Sequence, residues 1–431
     1  QNSCCAETQM ITVHDISVNR FLALIAFFVA TVAVLAVPME FYAGMILIIT
    51  ALLFLLRLYS DNGRLAFILF VALLLRSGLV YLDQIFSFLP DQPDQVLYNN
   101  QAIEILQSWR SGMYPLEITN YARGTSPYSY FLAVLYLPFG FMPLLGRLAN
   151  VIVSIICVYC FYIMIREVTE DEAVAMKSTL ILAFLPSFIV FNSYILRDTL
   201  LIMLSFFILL SVIKISKRQH SVYYALLFIG SFIVAGLLRE QNIYLFSGFF
   251  LLFLLFRALF SKIQWKTKIL LILFSVLVPI LFYLYSSTSF LSVATYFFRA
   301  QPLRAEGGSA YLTNMQYQTF FDIIKFLPIR FFYFCFGPFL WQIHGPVQLI
   351  TALEGMFFLA MALFSLFYFW MARGEKHAWL QYLVIGFALT GLLANAAVDS
   401  NFGTAVRHKL NYIVLLIPFA LMFLKRIRVK W

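Results

Sequence analysis

Long uninterrupted apolar runs dominate this chain and decide what it can fold into. A helix needs about 20 apolar residues to cross the hydrocarbon core of a bilayer, and runs near that length recur from 21–38 to 410–424. Because 62% of the residues are hydrophobic and only 12% are charged, the chain lacks the polar surface that a soluble protein needs. The sequence therefore predicts an all-α, polytopic membrane protein.

Hydropathy predicts about twelve transmembrane helices. They lie near 21–38, 41–57, 65–86, 147–165, 176–194, 197–213, 221–238, 242–260, 268–287, 347–371, 378–397 and 410–424. Two further apolar segments, 128–145 and 319–340, contain proline, glycine or charged residues that a free-standing span in lipid tolerates poorly. We expect these two segments to form in-plane or re-entrant juxtamembrane helices.

Twelve spans with both termini inside divide the chain into regions. We expect a cytoplasmic N-terminal segment at 1–20, two additional spans within 21–64, a main transmembrane domain at 65–425 and a basic cytoplasmic tail at 426–431. The outer loops of the main domain are predicted at 87–127, 288–345 and 398–409.

Basic residues are distributed unequally between the two predicted faces, so the net charge of +10 points to the membrane and not to nucleic acid. The cytoplasmic segments hold 18 of the 30 basic residues, nine Lys and nine Arg, whereas the outer segments hold nine Arg and two Lys. Arg76 lies within a span. A guanidinium group binds phosphate through two parallel hydrogen bonds. The outer face therefore favours a phosphorylated ligand, with interfacial anchoring of the Arg side chains as the alternative.

The first outer loop contains the best candidate for a catalytic base. Asp94, Tyr98 and Ala102 are spaced by four, so they share one face of a short helix that follows Pro93. Asp94 then lies in the first helical turn, where the helix dipole favours an ionised carboxylate that can take a proton from a hydroxyl. The alternatives are that Asp94 only caps the helix, or that Asp91 is the base.

Further polar residues lie at the outer ends of other predicted spans. Charged residues in such apolar stretches are costly unless they pair or face a cavity. They are Arg197 and Asp198, Arg239 and Glu240, Arg299 and Arg304 in the loop 288–318, Arg330 in the segment 319–340, and Arg407 and His408 before the last span.

Three motifs resemble the GT-C superfamily of integral-membrane glycosyltransferases. They are Asp94-x-x-x-Tyr98-x-x-x-Ala102, the stretch from Pro127-Tyr-Ser-Tyr through Arg147-Leu-Ala-Asn and Phe184-Leu-Pro-Ser-Phe to Arg197-Asp198, and Arg407-His-Lys-Leu-Asn-Tyr-Ile-Val-Leu-Leu-Ile-Pro418. The resemblance covers roughly 65–425. It also extends to members of bacterial surface-polysaccharide clusters, which implies a bacterial inner membrane with the active site on its periplasmic side.

The resemblance implies transfer of a sugar from a polyprenyl-phosphate-linked donor to a glycan or lipid-linked acceptor. Asp94, or Asp91, would be the base, supported by Tyr98, Asp198, Arg239, Glu240 and His408. The donor phosphate would bind Arg407, Arg304 or Arg299, with Arg197 and Arg330 as further candidates. A divalent cation, Mg²⁺ or Mn²⁺, held by Asp94 with Asp198 or Asp91 is a further expectation, since hard cations prefer such oxygens.

Three other functions remain open from the sequence. A polysaccharide polymerase or ligase acting on lipid-linked oligosaccharides would use His408 as its base in place of Asp94. A flippase or transporter of lipid-linked sugars would need polar residues at mid-membrane on several spans. A non-catalytic scaffold of an export complex would leave the outer charges unclustered.

Overall fold

The structure is a computed structural model of the 431-residue chain. It describes residues 39–112, 126–260, 265–266, 269, 273, 301–302, 305, 308–343, 345–372 and 379–430. The predicted span 21–38, nearly all of the predicted span 268–287, the segment 1–20, and Arg299 and Arg304 lie outside these residues.

The described residues are almost entirely helical, with one isolated β-bridge between Ala310 and Asn401. The α-helices are α1 Met39–Asp61, α2 Gly63–Phe86, α3 Pro93–Arg110, α4 Ser126–Tyr136, α5 Pro143–Thr169, α6 Glu172–Phe184, α7 Pro186–Phe191, α8 Arg197–Ser216, α9 Ser221–Leu238, α10 Gln241–Phe260, α11 Phe320–Phe336, α12 Pro346–Met371, α13 Trp379–Ala396, α14 Phe402–Ile413 and α15 Ile417–Lys430. The 3₁₀ turn Val414–Leu416 joins the last two.

Within the described residues, eight helices are long and apolar enough to cross a membrane. They are Phe41–Asp61, Gly63–Phe86, Pro143–Thr169, Arg197–Ser216, Ser221–Leu238, Gln348–Met371, Trp379–Ala396 and the composite Phe402–Ile427. Each coincides with a predicted span, which confirms an all-helical chain suited to a bilayer. The expected number of about twelve is not confirmed.

The predicted span 176–194 is not one helix but two. α6 ends at Phe184, Leu185 is extended (φ −66°, ψ 121°) and α7 begins at Pro186. Proline lacks a backbone N–H and its ring clashes with the preceding turn, so it breaks a helix interior. The break separates a helix of 13 residues from a helix of 6 residues, and neither is long enough to span a bilayer alone.

The two apolar segments expected not to span contain short helices. α4 has 11 residues, about 16 Å of helix against a hydrocarbon core of about 30 Å. α11 has 17 residues and begins with a capping box. The Asp322 carboxylate accepts hydrogen bonds from the backbone N–H and the hydroxyl of Thr319. Hydrogen bonds from Thr319 lower the pKa of the exposed Asp322. The prediction that both lie in or near the membrane plane stays a prediction.

Charged side chains gather at opposite ends of the helices. At one end, which we call the basic end, Lys214 contacts Glu167 at 2.6 Å and Lys425 contacts Asp171 at 2.5 Å. At the other, the site end, Arg407 contacts Asp94. Helix α8 runs from Asp198 to Lys214, about 24 Å. The division into cytoplasmic and outer segments stays a prediction.

Glycine permits a close contact between α11 and α12. The backbone of Gly355 in α12 touches the carbonyl of Phe336, the last residue of α11, so closely that a Cβ at 355 would overlap that oxygen. Because the obstacle is backbone, it cannot move aside like a flexible side chain. Gly78 in α2 has open space around its Cβ position.

We predict that Gly355→Ala destabilises the protein whereas Gly78→Ala does not. Alanine in a helix gains up to about 1 kcal/mol over glycine, but overlap in a packed interior typically costs about 1–3 kcal/mol. Thermal unfolding of the purified variants in detergent measures the difference. Equal melting temperatures for the two variants would contradict this packing.

Sidedness yields a second prediction, tested in a background without the five native cysteines. The exposed Gln219 follows the basic end of α8, and the exposed Asn314 lies in the segment expected outside. A membrane-impermeant maleimide added to intact cells should label Asn314→Cys but label Gln219→Cys only after permeabilisation, because short basic loops stay in the cytoplasm. The reverse labelling pattern would contradict this topology.

Candidate functional site

Four parts of the chain converge at the site end. The start of α3 contributes Asp94, the start of α8 contributes Asp198, the turn between α9 and α10 contributes Arg239, and α14 contributes Arg407 and His408. Helix α3 begins at Pro93, and Asp94 lies in its first turn as predicted. Residues that are up to 313 positions apart in sequence thus come into direct contact.

Arg407 links the two carboxylates of the cluster. Its Nη1 donates a hydrogen bond to Asp94 Oδ2 at 2.8 Å and lies 3.7 Å from Asp198 Oδ2. The side chain of Asp94 is 46% exposed, whereas those of Asp198 and Arg407 are 13% and 10% exposed. Asp94 is therefore the carboxylate of this cluster that solvent, or a ligand, can reach.

A hydrogen-bonded chain continues from Asp198 into the protein. Arg239 Nη2 lies 3.2 Å from Asp198 Oδ1 and 3.0 Å from His408 Nε2, and His408 Nδ1 lies 2.5 Å from Asp399 Oδ2. A guanidinium can only donate and a carboxylate accepts. His408 therefore donates from Nδ1 and accepts at Nε2, which is the neutral imidazole with its proton on Nδ1.

Asp399 was not among the predicted site residues. It is fully buried in the segment between α13 and α14, nine residues before His408. The sequence shows only that this Asp lies nine residues before a His, and that spacing does not predict their contact. Around it, Tyr311 Oη and Arg330 Nη2 donate to its backbone carbonyl at 2.8 and 3.0 Å.

The end of α2 and the start of α3 are held against the turn between α7 and α8. Arg147 Nη2 pairs with Asp83 at 2.8 Å, and its Nε donates to the Ser193 carbonyl. Across the same contact Gln95 Oε1 accepts from the Ile195 N–H at 3.0 Å. These bonds bring the starts of α3 and α8 together, and with them Asp94 and Asp198. Sequence reasoning did not assign Asp83 or Gln95 to the site.

Tyr98 packs α3 against α4. Its side chain is buried, and its ring packs edge-on against Tyr128 of α4 at a centroid distance of 4.9 Å. Burial raises the pKa of Tyr98 to about 12. It therefore carries no charge at neutral pH, and its supporting role in the site stays a prediction.

Two of the five predicted phosphate ligands, Arg197 and Arg330, bind backbone carbonyls. Arg197 Nη1 donates to the Leu238 carbonyl at 3.0 Å. Arg330 is fully buried, binds the carbonyls of Ala396 and Asp399 and lies over the ring of Tyr317. The outer excess of Arg thus reflects helix capping as well as any ligand. Glu240 and Asp91 are exposed near the cluster.

The arrangement does not fit a metal ion between the carboxylates. Arg407 already lies against both Asp94 and Asp198. In the part of the chain that the structure describes, no group of three or more His, Cys, Asp or Glu side chains could hold one. The suggested pairing of Asp94 with Asp198 around a cation would require Arg407 to move.

Comparisons of the chain with protein-family models, with curated proteins and with solved structures found no match. The resemblance to GT-C enzymes therefore remains an expectation from the sequence.

Proposed function

We propose that the protein transfers a sugar from a polyprenyl-phosphate-linked donor to a glycan or lipid-linked acceptor. The reaction would take place at the outer, periplasmic face of a bacterial cytoplasmic membrane. One observation carries the proposal: a solvent-accessible carboxylate, Asp94, lies on a largely buried guanidinium, Arg407, at one end of a bundle of apolar helices. A base beside a phosphate-binding cation at a membrane face suits a lipid-phosphate donor.

The chemistry balances with these two groups. Asp94 takes the proton of the acceptor hydroxyl while that oxygen forms a bond to the anomeric carbon. The bond from the anomeric carbon to the phosphate oxygen breaks, and its electron pair leaves with the polyprenyl phosphate. Arg407 stabilises the charge that grows on this phosphate, which is where a preorganised cation lowers the barrier most.

The other members of the cluster hold Arg407 in place. Asp198 lies against both Arg407 and Arg239, and both guanidinium groups are mostly buried. A buried guanidinium with an anionic partner keeps its position, so little reorganisation is needed when the phosphate charge develops. Asp198 is thus assigned to orientation and Asp94 to proton transfer.

The hydrogen bonds of His408 favour Asp94 over His408 as the base. The Nε2 lone pair of His408 accepts from Arg239 at 3.0 Å, and its side chain is 6% exposed. A base must reach the proton that it removes. This observation supports the single-sugar transferase over a polymerase or ligase that depends on a histidine base.

We predict that Asp94→Asn abolishes glycosyl transfer while folding and donor binding persist. Asparagine keeps the shape and can hydrogen-bond, but it is not a base, so the rate should fall on the order of a hundredfold or more. Membrane vesicles with a radiolabelled polyprenyl-phosphate sugar would measure turnover. Glu104→Gln, on an exposed position of the same helix, is the matched control and should retain turnover.

The opposite result would assign the role of general base to another residue. If Asp94→Asn kept near-normal turnover and Asp91→Asn were inactive, Asp91 would take the role. If His408→Ala alone were inactive, the enzyme would belong with the histidine-dependent polymerases and ligases.

We also predict that Arg407→Lys weakens use of the donor although the charge is kept. An ammonium group cannot reproduce the two parallel hydrogen bonds of a guanidinium to phosphate, so kcat/KM should fall by about tenfold or more. Steady-state kinetics over a range of donor concentrations measure it. Arg110→Lys, at the exposed end of α3, should behave like the wild type, and equal kinetics for both variants would refute the role.

A further inference from the structure

The break between α6 and α7 separates two groups that a continuous helix would join. In an unbroken helix the Ser187 N–H would donate to the Ala183 carbonyl. Pro186 and the extended Leu185 prevent this bond. Ala183 and Ser187 are both buried inside the protein. Unpaired backbone groups in such surroundings are costly, so each requires another partner.

Charged side chains from two other helices bind the separated groups. Arg76 of α2 donates from Nη2 to the Ala183 carbonyl at 2.9 Å and from Nη1 to the Ala72 carbonyl at 3.1 Å. Glu354 of α12 accepts the Ser187 N–H at 2.7 Å. Arg76 is fully buried and Glu354 is 7% exposed. One positive and one negative side chain thus replace a single backbone hydrogen bond.

The break also determines where the chain emerges at the site end. α7 has only six residues, and its exit is held by bonds from Asn192 Nδ2 to the Phe188 carbonyl and from Ser193 Oγ to the Ile189 carbonyl. Arg147 then binds the Ser193 carbonyl, and α8 begins at Arg197. Because Asp198 follows α7 by only a few residues, the direction of α7 helps to set the position of Asp198.

We propose that Arg76 and Glu354 are positioning residues for the site. They stabilise the break at Pro186 by binding the two backbone groups that it separates. The break in turn positions the turn that brings Asp198 to Arg239 and Arg407. The effect on turnover rests on the proposed glycosyl transfer, whereas the stabilisation of the break does not.

A double-mutant cycle on the purified full-length chain tests the break. Arg76→Met should lower the melting temperature by at least about 3 °C. In a Pro186→Ala background the Ala183–Ser187 bond can form again, so the same Arg76→Met change should cost less than half as much. If Arg76→Met fails to fold alone, recovery of folding in the Pro186→Ala background supports the proposal equally.

The control for the cycle is Pro328→Ala. Pro328 lies inside α11, which continues through it, so its replacement should add independently to Arg76→Met. Additive effects of Arg76→Met and Pro186→Ala, like those with Pro328→Ala, would overturn the proposal.

Turnover tests the positioning. Pro186→Ala should melt no lower than the wild type, yet its kcat should fall at least about tenfold, because small displacements of catalytic groups are costly. Glu354→Gln keeps an oxygen acceptor and should stay within about threefold of the wild type, whereas Glu354→Leu should lose at least about tenfold. Wild-type turnover by Pro186→Ala would overturn the positioning. If the wild type showed no glycosyl transfer, the proposed function would be wrong. The melting temperatures of the double-mutant cycle would still test whether Arg76 stabilises the break.

Discussion

Every backbone N–H and carbonyl inside a bilayer must find a partner within the protein, and this constraint explains where five of the basic side chains lie. The last carbonyls of a helix have no intrahelical donor. In this chain basic side chains from other helices supply it: they bind carbonyls at or just beyond the ends of α6, α7, α9, α11 and α13. These residues are, in that order, Arg76, Arg147, Arg197, Lys409 and Arg330. Positive charge at a helix C-terminus is also favoured by the helix dipole.

The same constraint generates the candidate site. Helices that stop within the protein leave turns between them, and a turn is where a carboxylate can lie close to carboxylates and cations of other helices. Asp198 follows the turn after α7, and Asp399 follows the end of α13. Arg330 holds the second of these turns through its bonds to the carbonyls of Ala396 and Asp399. Structural and site charges therefore lie side by side on the same few segments.

Hydropathy predicted much of the fold, because the length and composition of a span are local properties. Pro93 and the four-residue spacing that follows it predicted α3 and the place of Asp94, since proline and the helix dipole act within one turn. Hydropathy has a limit. It missed the break at Pro186, because an apolar run that crosses a proline looks continuous. It also could not tell that Arg197 and Arg330 bind backbone whereas Arg407 binds Asp94, because their partners lie 41, 66 and 313 positions away. Asp399 was missed because only packing shows that it faces His408.

The pairing of Asp94 with Arg407 gives the proposed reaction a coupling between its two halves. Before the reaction, the negative charge of Asp94 offsets the positive charge of Arg407 across 2.8 Å. When Asp94 takes the proton of the acceptor, that offset disappears, and the attraction of Arg407 for other anions strengthens. The leaving phosphate gains negative charge in the same step. Asp198 Oδ2 lies 3.7 Å from Arg407 Nη1, so Asp198 keeps Arg407 in place while Asp94 is neutralised. A base that rests on the phosphate-binding guanidinium therefore links proton removal to departure of the leaving group, which two separate groups would not do.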